Sequence, residues 1–269
     1  MLNIYREKYY LCGDYMEVHL YPVHRKAGVR RKKSKPSSEC QKKLNEMIAE
    51  NKFIRKLNYN FTSEDYKIEL TYRNEYHPQS DDEASRNLSN FLRRMKRLRT
   101  KLGLSPLKYA SVTEKGAKKG RYHHHLVISG GISPKDLAQL WGMGRIGAEP
   151  LQFDENGVAD LARYMLKKSE ASKKKWNASK NLADPPEKQR DGRLSKRKVM
   201  ELAKDTDDHR AFEKYYDGYY LSEAKRVYND VNGGIYIYAR FYRKDAEFCT
   251  IREKTKRYRQ GYPQKTASR

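Results

Sequence analysis

The stretch KKGRYHHHLVISGG, Lys118 to Gly131, sets three histidines in a row at the head of an apolar run. A short apolar run after a Gly/Lys turn predicts a strand, and successive strand side chains point to opposite faces. His123 and His125 therefore share a face with Val127, while His124 joins Tyr122, Leu126 and Ile128 on the other. The useful pattern is His-x-His, and His124 reads as a strand filler. Two imidazoles at i and i+2 can both reach one metal ion.

Working outward, LKYASVTEKG (107–116) predicts a second strand, joined to the histidine strand through the Gly/Lys turn KGAKKG. In such a hairpin Glu114 comes alongside the histidines. A mixed nitrogen and oxygen set with open positions suits a divalent ion acting as a Lewis acid on phosphate oxygens. Cys12, Cys40 and Cys249 lie far apart and make neither a Cys-x-x-Cys site nor a disulfide framework. A closed, Cys-rich structural zinc site is therefore excluded.

Further along, Asp154 is expected to cap a helix through NGVADLARYMLKKSE, with Val158, Leu161, Ala162 and Met165 as its buried stripe. Tyr164 falls off that stripe, one turn from Lys167 and Lys168. A tyrosine hydroxyl is a poor nucleophile at its ordinary pKa of about 10, but nearby cations and a polarised phosphate make attack feasible.

The remaining elements frame this centre. YMEVHLYPV (15–23) predicts an edge strand because it ends at Pro22. An exposed basic loop follows, then a helix from Ser38 with a Ser38/Gln41 capping box and Leu44, Met47 and Ile48 on one face. YKIELTYR (66–73) alternates as a strand. Asp81 to Leu102 predicts a helix with Leu88, Phe91, Leu92, Met95 and Leu102 as its stripe and Arg93, Arg94, Arg97 and Lys101 outside. Ser133 caps a short helix with Pro134 at its first position. GMGRIGAEPLQF is a strand candidate, and a helix near 194–204 and a strand over 233–244 close the ordered part.

Of 269 residues, 58 are Lys or Arg against 34 acidic, a formal charge of +24. A field of that sign draws in phosphate polymers. Lys168, Lys173, Lys174 and Lys175, with Arg94 and Arg97 on the long helix, are the expected nucleic-acid contacts. Among 22 tyrosines, several suit strand surfaces that stack on unpaired bases. No long apolar segment and no signal core appears, so an intracellular protein away from membrane is expected.

Glu114, then His-x-His on the next strand, then Tyr-x-x-Lys on a following helix resembles the single-tyrosine HUH endonucleases. More narrowly the chain is similar to rolling-circle replication initiators of bacteriophages and mobile elements, with KKWNASKNL also typical of that group. The resemblance implies an α+β fold, a central antiparallel sheet of about five strands flanked by helices, with basic N- and C-terminal extensions. It implies Mg²⁺ or Mn²⁺ held by Glu114, His123 and His125. Tyr164 would attack a phosphodiester of single-stranded origin or hairpin DNA, giving a 5′-phosphotyrosine and a free 3′-hydroxyl. Lys167 would position the tyrosine or phosphate. GAKKGRYH lacks the ending of a P-loop, so helicase and polymerase are expected from the host, in the bacterial cytoplasm. The expected organisation is an extension over 1–60, the nuclease core over 61–170, a basic extension over 171–255 and a disordered tail over 256–269. A relaxase or transposase of the same class, or a non-enzymatic single-strand-binding protein, are the rival readings.

Overall fold

The computed structural model of the chain describes residues 4–23, 39–116, 120–167, 176–229 and 234–246, the side chains of 39–44 excepted. Outside them lie the expected basic loop, the capping box at Ser38, the middle of the KGAKKG turn, Lys168, Lys173, Lys174, Lys175 and the tail from 256. The element order is β1 (Ile4–Cys12), β2 (Tyr15–Val23), α1 (Glu39–Asn60), β3 (Tyr66–Leu70), α2 (Asp81–Lys101), β4 (Tyr109–Lys115), β5 (Tyr122–Ile128), α3 (Pro134–Trp141) and β6 (Ile146–Pro150). There follow α4 (Ala159–Lys167), β7 (Asn177–Ala178), β8 (Glu187–Asp191), α5 (Lys196–Lys204), α6 (His209–Glu213), β9 (Tyr219–Asn229) and β10 (Gly234–Arg243). The chain is α+β, with two antiparallel five-stranded sheets in two compact units.

The first unit comprises Glu46–Gln152 and Gly157–Pro185. Its sheet has the order β6-β3-β5-β4-β7, so the histidine strand β5 is central. One face carries Ile68, Leu70, Tyr122, Leu126 and Ile128, packed with Leu88, Phe91 and Met95 of α2 and Leu137 and Trp141 of α3. Each such side chain, fully buried, contributes about 1.5–3 kcal/mol. The sequence of α2 explains its limits. The Ser80 hydroxyl accepts from the Glu83 N–H at 3.2 Å, acidic residues fill the first turn, and Arg99 and Lys101 sit in the last. Leu102, expected on the buried stripe, falls just past the helix and is exposed.

α4 lies against the other face, where its Tyr164 ring meets the His125 ring. It is bonded to α1 at two points, Arg163 Nε to Glu50 Oε1 at 3.0 Å and the Val158 N–H to Asn58 Oδ1 at 3.1 Å. The buried residues of α1 include Phe53, Ile54 and Leu57. Ile48, expected on the buried face, is 44 % exposed: the apolar contact comes one to two turns later than expected. Asp154 caps a turn rather than the helix, accepting from the Asn156 N–H at 2.6 Å. The helix begins beyond Gly157, whose φ of 66° is left-handed backbone. A Cβ there would fall 2.1 Å from Asn58 Oδ1, so glycine is required twice over.

The second unit takes in Met1–Asn45, Phe153–Asn156 and Pro186–Arg269. Its sheet order is β8-β1-β2-β10-β9. Leu20, Val18 and Met16 alternate with Ile237, Ala239 and Phe241 on one face, covered by Val199 and Leu202 of α5 and Phe212 of α6. β2 is therefore an interior strand and not the edge strand that Pro22 suggested. The reason is local. β10 pairs only with Tyr15–Leu20, so Pro22 lies past the end of that ladder.

Candidate active site

On β5 the alternation of faces is as the sequence requires. His124 is fully buried in the core with Tyr122, Leu126 and Ile128. It is not a filler. Its Nε2 meets the Tyr72 hydroxyl at 2.7 Å and its Nδ1 the Thr113 hydroxyl at 2.9 Å. Its ring also packs edge-on against Trp141. Burial above all, with the two flanking histidines adding to it, pushes its pKa down to about 3. A neutral imidazole thus ties β5 to the strand on each side of it.

The opposite face gathers the ionisable groups. Glu114 is directly across from His123 on β4, and Glu69 is directly across from His125 on β3. The side chains then reach diagonally. His125 Nε2 lies 3.0 Å from Glu114 Oε2, and His123 Nδ1 lies 3.5 Å from Glu69 Oε1. The His125–Glu114 pair is mostly buried, at 7 % and 16 % side-chain exposure, and the His123–Glu69 pair is more open.

Tyr164, from α4, sets its ring edge-on to His125 with centroids 5.5 Å apart. It is 47 % exposed, so a tyrosine at the site is also open to a polymer substrate. The bonds from Arg163 to Glu50 and from Val158 to Asn58 hold the helix that carries it. Lys167 is exposed one turn further along the same helix.

Glu69 was not among the expected ligands. The signal was present in IELTY, where Glu69 alternates with the buried Ile68 and Leu70 and so must face the histidine side. What the sequence does not carry is the pairing of β3 with β5. Arg94 and Arg97 are placed elsewhere. They sit on α2, across the sheet from the histidine pair, and Arg94 Nε is engaged with the Leu140 carbonyl at 2.8 Å. Arg97 is exposed.

Two imidazoles and two carboxylates are donors of the kind a divalent cation takes. In this structure they pair two by two. Among the described residues no group of three or more His, Cys, Asp or Glu side chains is arranged to hold a metal ion.

The fold around this face is the central antiparallel sheet flanked by helices that the HUH resemblance implies. Residues 65–169, less than half of the chain, match the family of replication-associated proteins of the ORF2 type. The matched segment contains Glu69, Glu114, His123, His125, Tyr164 and Lys167, and so ties the whole site to replication-associated proteins. No curated protein and no solved structure matches the chain. Among the described residues no helix is long and apolar enough to cross a membrane.

Proposed function

We propose that the chain is a rolling-circle replication initiator that nicks single-stranded DNA through Tyr164. The observation that carries this reading is the Tyr164 ring against His125, on the sheet face that also holds Glu114, His123 and Glu69. A replication role for the matched segment and a charge of +24 support a DNA substrate.

Glu114, His123 and His125, with Glu69 beside them, would hold Mg²⁺ or Mn²⁺, which draws electron density from the scissile phosphate. The Tyr164 hydroxyl oxygen attacks the phosphorus and loses its proton. A P–O bond to tyrosine forms, the P–O3′ bond breaks, and the departing 3′-oxygen takes up a proton. The products are a 5′-phosphotyrosine and a 3′-hydroxyl for a host polymerase to extend. Half exposure lets Tyr164 reach a polymer, and the packing of its ring on His125 limits the positions its hydroxyl explores. Lys167, one turn on, supplies positive charge at the strand it holds. Lys168 and Lys173 to Lys175 add to that charge, and the host cytoplasm supplies helicase and polymerase.

Incubating the protein with a labelled single-stranded origin fragment, with Mn²⁺ or with chelator, tests the reaction class. Metal-dependent cleavage with a free 3′-hydroxyl is expected. Tight binding without any cleavage in Mn²⁺ or Mg²⁺ would make the chain a single-strand-binding protein instead.

A further inference from the structure

The second unit has no part in this chemistry, yet it contains a cavity of about 180 Å³ whose walls are largely tyrosine and arginine. At its base a buried cluster is fully engaged. Arg193 donates twice to Glu7, at 2.6 Å each, and the Tyr216 hydroxyl donates to Glu7 Oε1 at 2.8 Å. Burial, then the Glu7 charge, raises the Tyr216 pKa well above its ordinary value, so its hydroxyl stays a donor. This cluster is a rigid floor and leaves the cavity to its walls.

Those walls alternate cation and ring. The Arg190 guanidinium lies 5.3 Å from the Tyr9 ring centre, and Arg193 lies 4.9 Å from that of Tyr216. Tyr215, half-buried at the cavity, has Lys214 at 5.1 Å and Lys198 at 5.7 Å from its ring. Arg190, Lys198 and Lys214 are exposed. Aromatic faces lined by guanidinium planes, with a fringe of cations, are the chemistry that holds an unstacked base and its phosphates.

Size narrows the choice. Pockets for drug-sized molecules run from about 300 Å³ upward, so this one takes a single ring system, with sugar and phosphate left outside among the cations. One further group gives the pocket a polar edge. The Asp217 carboxylate, which accepts from the Gly218 N–H at 3.0 Å, lines it and retains capacity to accept from a base amine.

We infer that the second unit is a single-strand recognition module, whose Tyr9/Tyr215/Arg190 pocket captures one unpaired DNA base while Lys198 and Lys214 hold its backbone. The choice of DNA rests on the replication reading above; the pocket itself does not.

The test is fluorescence anisotropy of the full chain with a labelled single-stranded origin fragment, replaced at one position at a time by an abasic site. Stacking strengths for single bases convert to a loss of roughly 5- to 150-fold at the captured position, with others near neutral. Tyr215→Ala should weaken the intact strand by a similar factor and flatten the abasic profile, and Tyr215→Phe should restore both. Duplex competitor should displace the strand poorly. A flat abasic profile in the unaltered protein overturns the pocket whether or not the variants fold, as does a Tyr215→Ala protein that binds like the parent. Covalent adduct formation at saturating DNA, read in parallel, reports on Tyr164 and separates failure of the pocket from failure of the nickase.

Discussion

Glu114 and Glu7 are both largely buried on a five-stranded antiparallel sheet, yet their neighbours differ in kind. Glu7 receives two guanidinium N–H groups and a phenol. Those partners satisfy it with groups that hold their protons at any physiological pH. Glu114 faces an imidazole at 3.0 Å, within reach of a half-exposed tyrosine on a neighbouring helix. An imidazole nitrogen trades its proton for a cation readily. A carboxylate locked by arginine stabilises a fold; one paired with histidine is available for chemistry.

That contrast breaks first if the histidine face is not the reactive one. His125→Ala or His123→Ala should reduce Mn²⁺-dependent cleavage to background, with an unchanged circular dichroism spectrum. Cleavage surviving in both variants would move the site off this face. The Glu7 side of the comparison should fail in the opposite way. Glu7→Ala strands the buried Arg193 charge and should cost about 3–5 kcal/mol in denaturant melts, while adduct formation by the folded fraction stays normal.

His124 sharpens the difference within a single strand. Its ring is fully buried and bonded at both nitrogens. His124→Ala leaves a cavity and an unpartnered Tyr72 hydroxyl and should destabilise by about 3 kcal/mol. The smallest effect belongs to Glu69, the carboxylate beside the more open histidine. Glu69→Gln should weaken Mn²⁺ binding by roughly 10- to 100-fold, as loss of a supporting carboxylate does, measured by calorimetry with the fold intact. No change would leave Glu69 a surface residue that happens to face His123.

The division of the three histidines between two faces follows from strand alternation alone, so the HHH run carries it by itself. The outward face of α4 at Tyr164 was equally legible, from the spacing of Ala162 and Met165. Less was legible in the second unit. β8 reads EKQRD, five exposed residues with no apolar alternation. It becomes a strand only by pairing with β1 some 185 positions away, as in the Arg6–Asp191 bridge at 2.6 Å. β9 is hard to read because YYLSEAKRVYN has no clean period of two, in keeping with the bulge in its ladder beside Arg240. The role of His124 is hidden for a similar reason. Parity says which face it occupies, but the hydroxyls that satisfy it come from Tyr72, just beyond β3, and Thr113 on β4.

The central claim is that Tyr164 is the nucleophile, and mapping the covalent protein–DNA adduct tests it most directly. After Mn²⁺-dependent reaction with a single-stranded origin fragment, digestion and mass spectrometry should find the nucleotide on the peptide containing YMLKK. Tyr164→Phe, which keeps the ring packed on His125 and removes only the hydroxyl, should bind DNA and metal normally and form no adduct. An adduct on a different tyrosine, or a Tyr164→Phe protein that still couples to DNA, would contradict the account.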